Sequence, residues 1–152
     1  MIEQRLAALK SSDETVRSQA TADFWQEWFH QKGADKAQLL LRSQALLEQG
    51  ETARAEELLT QLVQAEPDFA EAWNRRAVLH YLQKNYQAAL ADCQRVIALV
   101  PYHFGALHGL GLSQAALGNY REAIAAFRQA LAIQPYATVN QRLILECTAR
   151  LS

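Results

Sequence analysis

Three prolines, Pro67, Pro101 and Pro135, stand 34 residues apart, and each closes a stretch of one pattern. Asn119 to Pro135 reads NYREAIAAFRQALAIQP, Asn85 to Pro101 reads NYQAALADCQRVIALVP, and Glu51 to Pro67 reads ETARAEELLTQLVQAEP. Within each stretch apolar residues recur at helical spacing, as Ala123, Phe127 and Ala130 do in the last. Proline then ends the run, because it lacks an amide proton and clashes with the preceding turn. A fixed period of this size marks one supersecondary unit copied along the chain. A single such unit cannot bury its apolar face alone, so the copies must stack.

The chain divides accordingly. A short helix is expected from Ile2 to Lys10, an N-cap cluster at Ser11, Ser12 and Asp13, and a longer helix from Glu14 to Gln31 closed by Gly33. Helices then follow over Asp35–Gln49, Thr52–Ala65, Ala70–Gln83, Tyr86–Leu99, Phe104–Leu117 and Tyr120–Ile133, broken by Gly50, Lys84-Asn85 or Gly118 and by the prolines. A last helix over Thr138–Arg150 carries Val139, Leu143, Ile144 and Cys147 on one face. No strand pattern occurs. The connections are short, so consecutive helices are antiparallel neighbours. The fold class is all-α, with units at 36–69, 70–103 and 104–137 and a C-terminal capping helix at 138–152. Residues 1–35 form either an N-terminal helical cap or a degenerate repeat. The face carrying Val16, Ala20, Phe24, Trp25, Trp28 and Phe29 is the densest aromatic cluster in the chain. We expect it to seal the open N-terminal end of the stack; the competing reading is a docking surface.

Superposing the three units gives columns. Leu39, Trp73 and Leu107 are large, and four residues on Ser43, Ala77 and Gly111 are small enough for two helices to approach closely. Then come Gly50, Lys84 and Gly118 at the turn, Thr52, Tyr86 and Tyr120, the small Ala55, Ala89 and Ala123, and the core positions Leu59, Cys93 and Phe127 followed by Leu62, Val96 and Ala130. This order, with its 34-residue period, resembles the tetratricopeptide repeat over Lys36 to Pro135. Trp73, Gly111, Tyr120, Ala123, Phe127, Ala130 and Pro135 stand where that family's preferred residues do. The first unit is looser, with Leu39, Ser43 and Leu46 in place of the preferred aromatic, Gly and Tyr. The resemblance implies a right-handed superhelical stack of antiparallel helix pairs, an α-solenoid whose first helices line a concave groove.

Groove-facing positions on those first helices follow a 3,4,3 spacing. They are Ala37, Leu40, Gln44 and Leu47 in the first unit, Glu71, Asn74, Val78 and Tyr81 in the second, and Gly105, His108, Leu112 and Ala115 in the third. Arg75, His80 and His103 fall on or beside the same surface. The candidate partner-binding residues are therefore Leu40, Gln44, Asn74, Arg75, Val78, Tyr81, His108 and Leu112. A peptide laid there would bury apolar side chains against Leu40, Val78, Tyr81 and Leu112, and the Asn74 amide offers both a donor and an acceptor to its backbone. Gly105 and Gly109 either leave room for a bulky ligand group or permit close helix packing. A use known in the family is a carboxylate clamp for acidic chaperone tails, built from Lys, Asn and Arg on three first helices. The corresponding places hold Leu40, Gln44, Arg75, Gly105 and Gly109, and one unit earlier Leu6, Lys10, Leu41, Glu71 and Arg75. Only Arg75 suits the task, so no clamp is expected.

Composition narrows the chemistry. Half of the residues are hydrophobic and 20% are charged, so the chain folds; its net charge of −1 argues against a nucleic-acid or anionic-membrane binder. Cys93 and Cys147 have no metal-type spacing and read as reduced thiols of a cytoplasmic protein. The start, MIEQRLAALKSSDE, shows no signal-peptide pattern, and no membrane-length apolar run occurs. His30, His80, His103 and His108 lack further ligands at metal spacing. Neither a cofactor nor a metal is expected, and Cys93 sits in a core column as an inert thiol. The resulting expectation is a non-enzymatic interaction module, an adaptor, scaffold or assembly factor with a protein or peptide partner. The alternatives are self-association as a homodimer, through Trp25 and Trp28 or the last helix, and an enzyme using His103 or His108 as a base.

Overall fold

The computed structural model describes residues 2–151, and the outer limits of the expected terminal segments, Met1 and Ser152, lie outside them. Among the described residues the chain is entirely helical: α1 (Ile2–Ala8), α2 (Glu14–Phe29), α3 (Gly33–Glu48), α4 (Thr52–Ala65), α5 (Ala70–Leu82), α6 (Tyr86–Leu99), α7 (Phe104–Ala116), α8 (Tyr120–Ile133) and α9 (Thr138–Leu151). None of these helices is long and apolar enough to cross a membrane. From α3 onward each helix packs chiefly on the next, with α5 also touching α3 and α7. That near-neighbour pattern is an α-solenoid.

Two recurring joints set the geometry. Gly50, Lys84 and Gly118 have φ of 79°, 63° and 80°, the left-handed region. Around them the same pair of bonds repeats. The amide of the following residue reaches back to Leu46, His80 or Gln114 at 2.8–2.9 Å, and the left-handed residue's own amide reaches Leu47, Tyr81 or Ala115 at 3.0–3.1 Å. This Schellman arrangement satisfies the last carbonyls of α3, α5 and α7 and reverses the chain. At the other end Glu66, Val100 and Gln134 precede the prolines with φ between −122° and −136° and ψ between 78° and 89°. Proline forces this departure from helix on its predecessor.

The columns of small and large residues become the core. Ala55, Ala89, Ala123, Phe127 and Val96 are fully buried. A Cβ at Gly111 would sit 2.4 Å from the Phe127 ring, so α7 and α8 approach each other to a distance that glycine alone permits. The first units are further tied by Arg76, whose guanidinium donates to both Asp92 oxygens at 2.8 and 2.9 Å and to the Thr60 hydroxyl at 3.3 Å. That fork links α5 to α6 and α4.

The N-terminal helices depart from expectation. α2 does not close the end of the stack but runs along the connections between units. Its last residue and those just past it meet the first connection and the start of α5: Phe29 lies 5.8 Å from the Arg75 guanidinium, Gln31 donates to the Asp68 carbonyl, and Lys32 pairs with Asp68 at 2.8 Å. Its second half meets the second: Trp28 stacks on His103 at 3.9 Å, and Trp25 and Phe24 abut Phe104 at 5.4 and 6.0 Å. Its start meets the third, with Thr21 accepting from Gln134 and Arg17 lying over the Tyr136 ring at 4.0 Å. A 16-residue helix is about 24 Å long, enough to cross all three connections. Phe24 and Trp28 are buried, so the aromatic face is consumed inside the chain; it is neither an end seal nor an exposed docking or dimer face. The physical reason is the apolar surface that Val100, Tyr102, Phe104 and Ile133 offer along the stack's side, which the aromatic stripe and Leu9 cover.

Candidate functional site

The eight candidate residues separate into two groups. Asn74, Val78, Tyr81, His108 and Leu112 converge on a pocket of about 150 Å³ between α5 and α7, completed by Ala77, Cys93, Gly105, Gly109 and Ser113. Leu40, Gln44 and Arg75 do not line it. Leu40 is a correction: it is fully buried in the cluster of Leu46, Leu59, Phe69 and Leu79, against which Phe29 of α2 also packs. The 3,4,3 spacing assumed an open wall along all of α3, whereas Leu40 turns into the core that α3 shares with α4 and α5, with Phe69 of the α4–α5 connection and Phe29 of α2 packed beside it. Ala37 and Glu71 are buried for related reasons. Gln44 is exposed and donates to Glu48 at 3.1 Å. Arg75 is held by Glu71 at 2.8 Å on its own helix.

Glu71 is the centre of a buried polar knot. It accepts from Arg75 Nε at 2.8 Å and Asn74 Nδ2 at 3.3 Å, and it contacts His103 Nε2 at 3.2 Å. His103 is itself buried, and its Nδ1 accepts the Ala106 amide at 3.0 Å, capping α7. An acceptor at Nδ1 places the ring proton on Nε2, which donates to Glu71. With both nitrogens engaged and Trp28 stacked on its face, His103 is a strut between α5, α7 and α2, not a groove handle or a free base. This corrects its placement on the groove. Phe69 occupies the equivalent position one unit earlier and is likewise fully buried.

The pocket's walls have mixed character. Val78 is 47% exposed at the rim, and Tyr81 packs near Tyr86 with ring centroids 5.3 Å apart. Leu112 leans on the cluster of Ala123, Phe127 and Cys147. His108 Nδ1 meets Asn140 Oδ1 of α9 at 2.8 Å, so α9 holds the imidazole in place. Two residues at the floor escaped the sequence reading. Cys93 belongs to an outer helix, yet its sulfur reaches the pocket because Gly109 has no side chain; a Cβ there would lie 3.2 Å from Sγ. Burial pushes the Cys93 thiol up to about 12, with Asp92 beside it acting in the same direction. Ser113 is buried, and its hydroxyl has no hydrogen-bond partner. The available signal was the series Gly105, Gly109 and Ser113, four residues apart on one helical stripe. Gly105 serves packing on its other side, since a Cβ there would meet Trp25 at 2.5 Å.

Comparison with known proteins agrees with this architecture. Models of the tetratricopeptide repeat match residues 40–104 and 104–137. A TPR repeat-containing protein of Rhizobium etli is 27% identical over 135 residues, covering 88% of this chain and 66% of its own length. The SGT1 homolog of Bos taurus is 36% identical over 87 residues, 57% of this chain and 25% of that protein. The chain thus spans less than two thirds of the length of either curated relative. Among solved structures, the first TPR of Spaghetti (RPAP3), bound to the HSP90 peptide SRMEEVD, superposes with a TM-score of 0.72 at 21% identity, covering 74% of this chain and 90% of that one. With the repeat found independently in its proline period, its helix packing and its relatives, the chain belongs to the tetratricopeptide repeat family.

Proposed function

We propose that the concave wall formed by α5 and α7 holds an extended segment of another protein, and that the chain works without catalysis as an adaptor, scaffold or assembly factor. The observation that carries this reading is the pocket between α5 and α7. Asn74, Val78, Tyr81, His108 and Leu112 all line it, and this supports reading the first-helix side as the binding wall. Neighbours of the same fold support the reading, since the Spaghetti domain is bound to a peptide. Apolar burial on Val78, Tyr81 and Leu112 supplies most of the affinity, at about 25 cal/mol per Å². Net hydrogen bonds add about 0.5–1.5 kcal/mol each. The Cys93 and Cys147 thiols, both free and buried, suit a reducing compartment, and we assign the protein to the cytoplasm on that ground.

The groove is not a carboxylate clamp. Leu40 is buried, Gly105 lies under Trp25, Gly109 carries no charge, and Arg75 is already paired with Glu71. Titration with SRMEEVD, the peptide of the Spaghetti complex, gives no saturable binding in the micromolar range; a micromolar complex overturns this part.

Affinity capture from native lysate tests the main reading. Val78→Glu places a charge on the exposed rim and loses the captured protein, whereas Leu145→Glu on α9, where the side chain is 70% exposed, retains it. If Val78→Glu keeps every partner, the groove is not the binding surface. The exposed Val139, Leu145 and Leu151 on α9 favour self-association as the second reading. A light-scattering mass twice that of the chain, reduced by Leu145→Glu, establishes it in place of the first.

A further inference from the structure

We infer that the pocket between α5 and α7 receives the unphosphorylated side chain of a tyrosine from the bound segment; this rests on the groove reading above and names the chemistry of its occupant. Size comes first. A cavity of about 150 Å³ matches the volume known to admit one benzene ring, and the pocket has that volume. Ala77, Val78, Tyr81 and Leu112 give the ring apolar walls, and Gly109 supplies depth by omitting a side chain above Cys93 Sγ.

Polarity then selects among rings. Ser113 is 1% exposed, its hydroxyl has no partner in the chain, and it lines the pocket. A buried hydroxyl without a partner is uncommon, and at Ser113 an incoming group in the pocket completes the bonding. His108 also lines the pocket. Its 2.8 Å contact with Asn140 Oδ1 is made by the tautomer that carries the proton on Nδ1, and in that tautomer Nε2 is an acceptor. A phenol both donates and accepts one hydrogen bond, so it meets a serine hydroxyl and an imidazole acceptor together. A phenylalanine ring fills the same volume and leaves Ser113 unpaired. No Lys or Arg is among the lining residues, and the Cys93 thiol there stays protonated, so nothing compensates a phosphate.

The test uses the full chain and two small probes, p-cresol and toluene, followed by two-dimensional ¹H–¹⁵N NMR titration. The expected result is saturable p-cresol binding with shifts centred on Val78, Gly109 and Leu112, about tenfold tighter than toluene. Ser113→Ala brings p-cresol down to the toluene level. Gly109→Ala, whose methyl group enters the pocket and whose residue favours helix, keeps the circular dichroism melt and weakens both probes about tenfold. Toluene binding as tightly as p-cresol, an unchanged preference in Ser113→Ala, or shifts centred elsewhere overturns the assignment. A tyrosine phosphopeptide binding more tightly than its unphosphorylated form does so too. The failures are separable. If Val78→Glu loses its partner while the probes are not discriminated, the tyrosine assignment alone falls. If the probes behave as expected while Val78→Glu keeps every partner, the groove reading falls.

Discussion

Replacing Trp28 by alanine tests whether α2 is part of the fold or an accessory laid upon it. The indole is 3% exposed and sandwiched between His103, at 3.9 Å, and Phe24, at 5.4 Å. A tryptophan buries about 150–250 Å², and at about 25 cal/mol per Å² that is about 4–6 kcal/mol. Partial collapse of the site reduces the measured loss to about 3–5 kcal/mol, the range for Trp→Ala in cores. The Nε1–H complicates the figure usefully, because it is buried without a partner. Such a donor costs about 1–3 kcal/mol while it remains. Trp28→Phe removes that cost, keeps a ring against His103 and gives up only part of the area. It therefore changes stability by less than about 1 kcal/mol. Urea unfolding followed by far-ultraviolet circular dichroism measures both variants, with an unchanged m-value as the check that the same surface is exposed. Amide exchange along α2 should rise in Trp28→Ala before the α5–α8 core does. A loss below about 1 kcal/mol in Trp28→Ala, or equal losses in the two variants, refutes the account of α2 as core.

Four further outcomes follow from the packing. Gly111→Ala gains about 1 kcal/mol of helix propensity but drives a methyl group into the buried Phe127 ring, so thermal unfolding shows a net loss of about 1–2 kcal/mol; a stabilised variant contradicts the close approach of α7 and α8. Asp92→Ala takes the carboxylate from the Arg76 fork, leaving it only the Thr60 hydroxyl, and costs about 3 kcal/mol in urea unfolding, part of which returns in Asp92→Leu combined with Arg76→Met. Lys84→Gly relieves a left-handed φ of 63° at the α5–α6 turn and raises stability by about 0.5–1 kcal/mol, read as an upward shift in Tm. Burial lifts the Cys93 thiol from 9.0 to about 12, so its contribution is full below about pH 9 and is lost as pH rises towards 12, because the unfolded chain ionises first; Cys93→Ala flattens that alkaline decline in a urea–pH series.

Much of the solenoid was legible because its determinants are local. A proline ends a helix wherever it stands, and Gly50 and Gly118 at the turns adopt a conformation that other residues resist. The Ala, Phe and Gly columns imply close pairing without reference to the rest of the chain. Lys84 shows the limit of that logic: it enters the same left-handed turn although its type does not demand it, because the flanking helices pack there. Within the groove, five of the eight candidate residues meet at one pocket, since a helical stripe read at i, i+3, i+4 stays a stripe once the helix is packed.

What the amino-acid order determined by itself was the repeat: helix limits and the pairing of neighbouring helices, both set by interactions within a few turns of chain. Tertiary structure decided where the non-repeated N-terminal helix goes. Nothing local in α2 says that Trp28 will stack on His103, more than seventy positions away, or that Phe29 will pack over the cluster holding Leu40. The same long-range docking turned Glu71 and His103 from groove handles into a buried strut. An aromatic stripe announces that it must be covered; only the folded surfaces facing it settle by what.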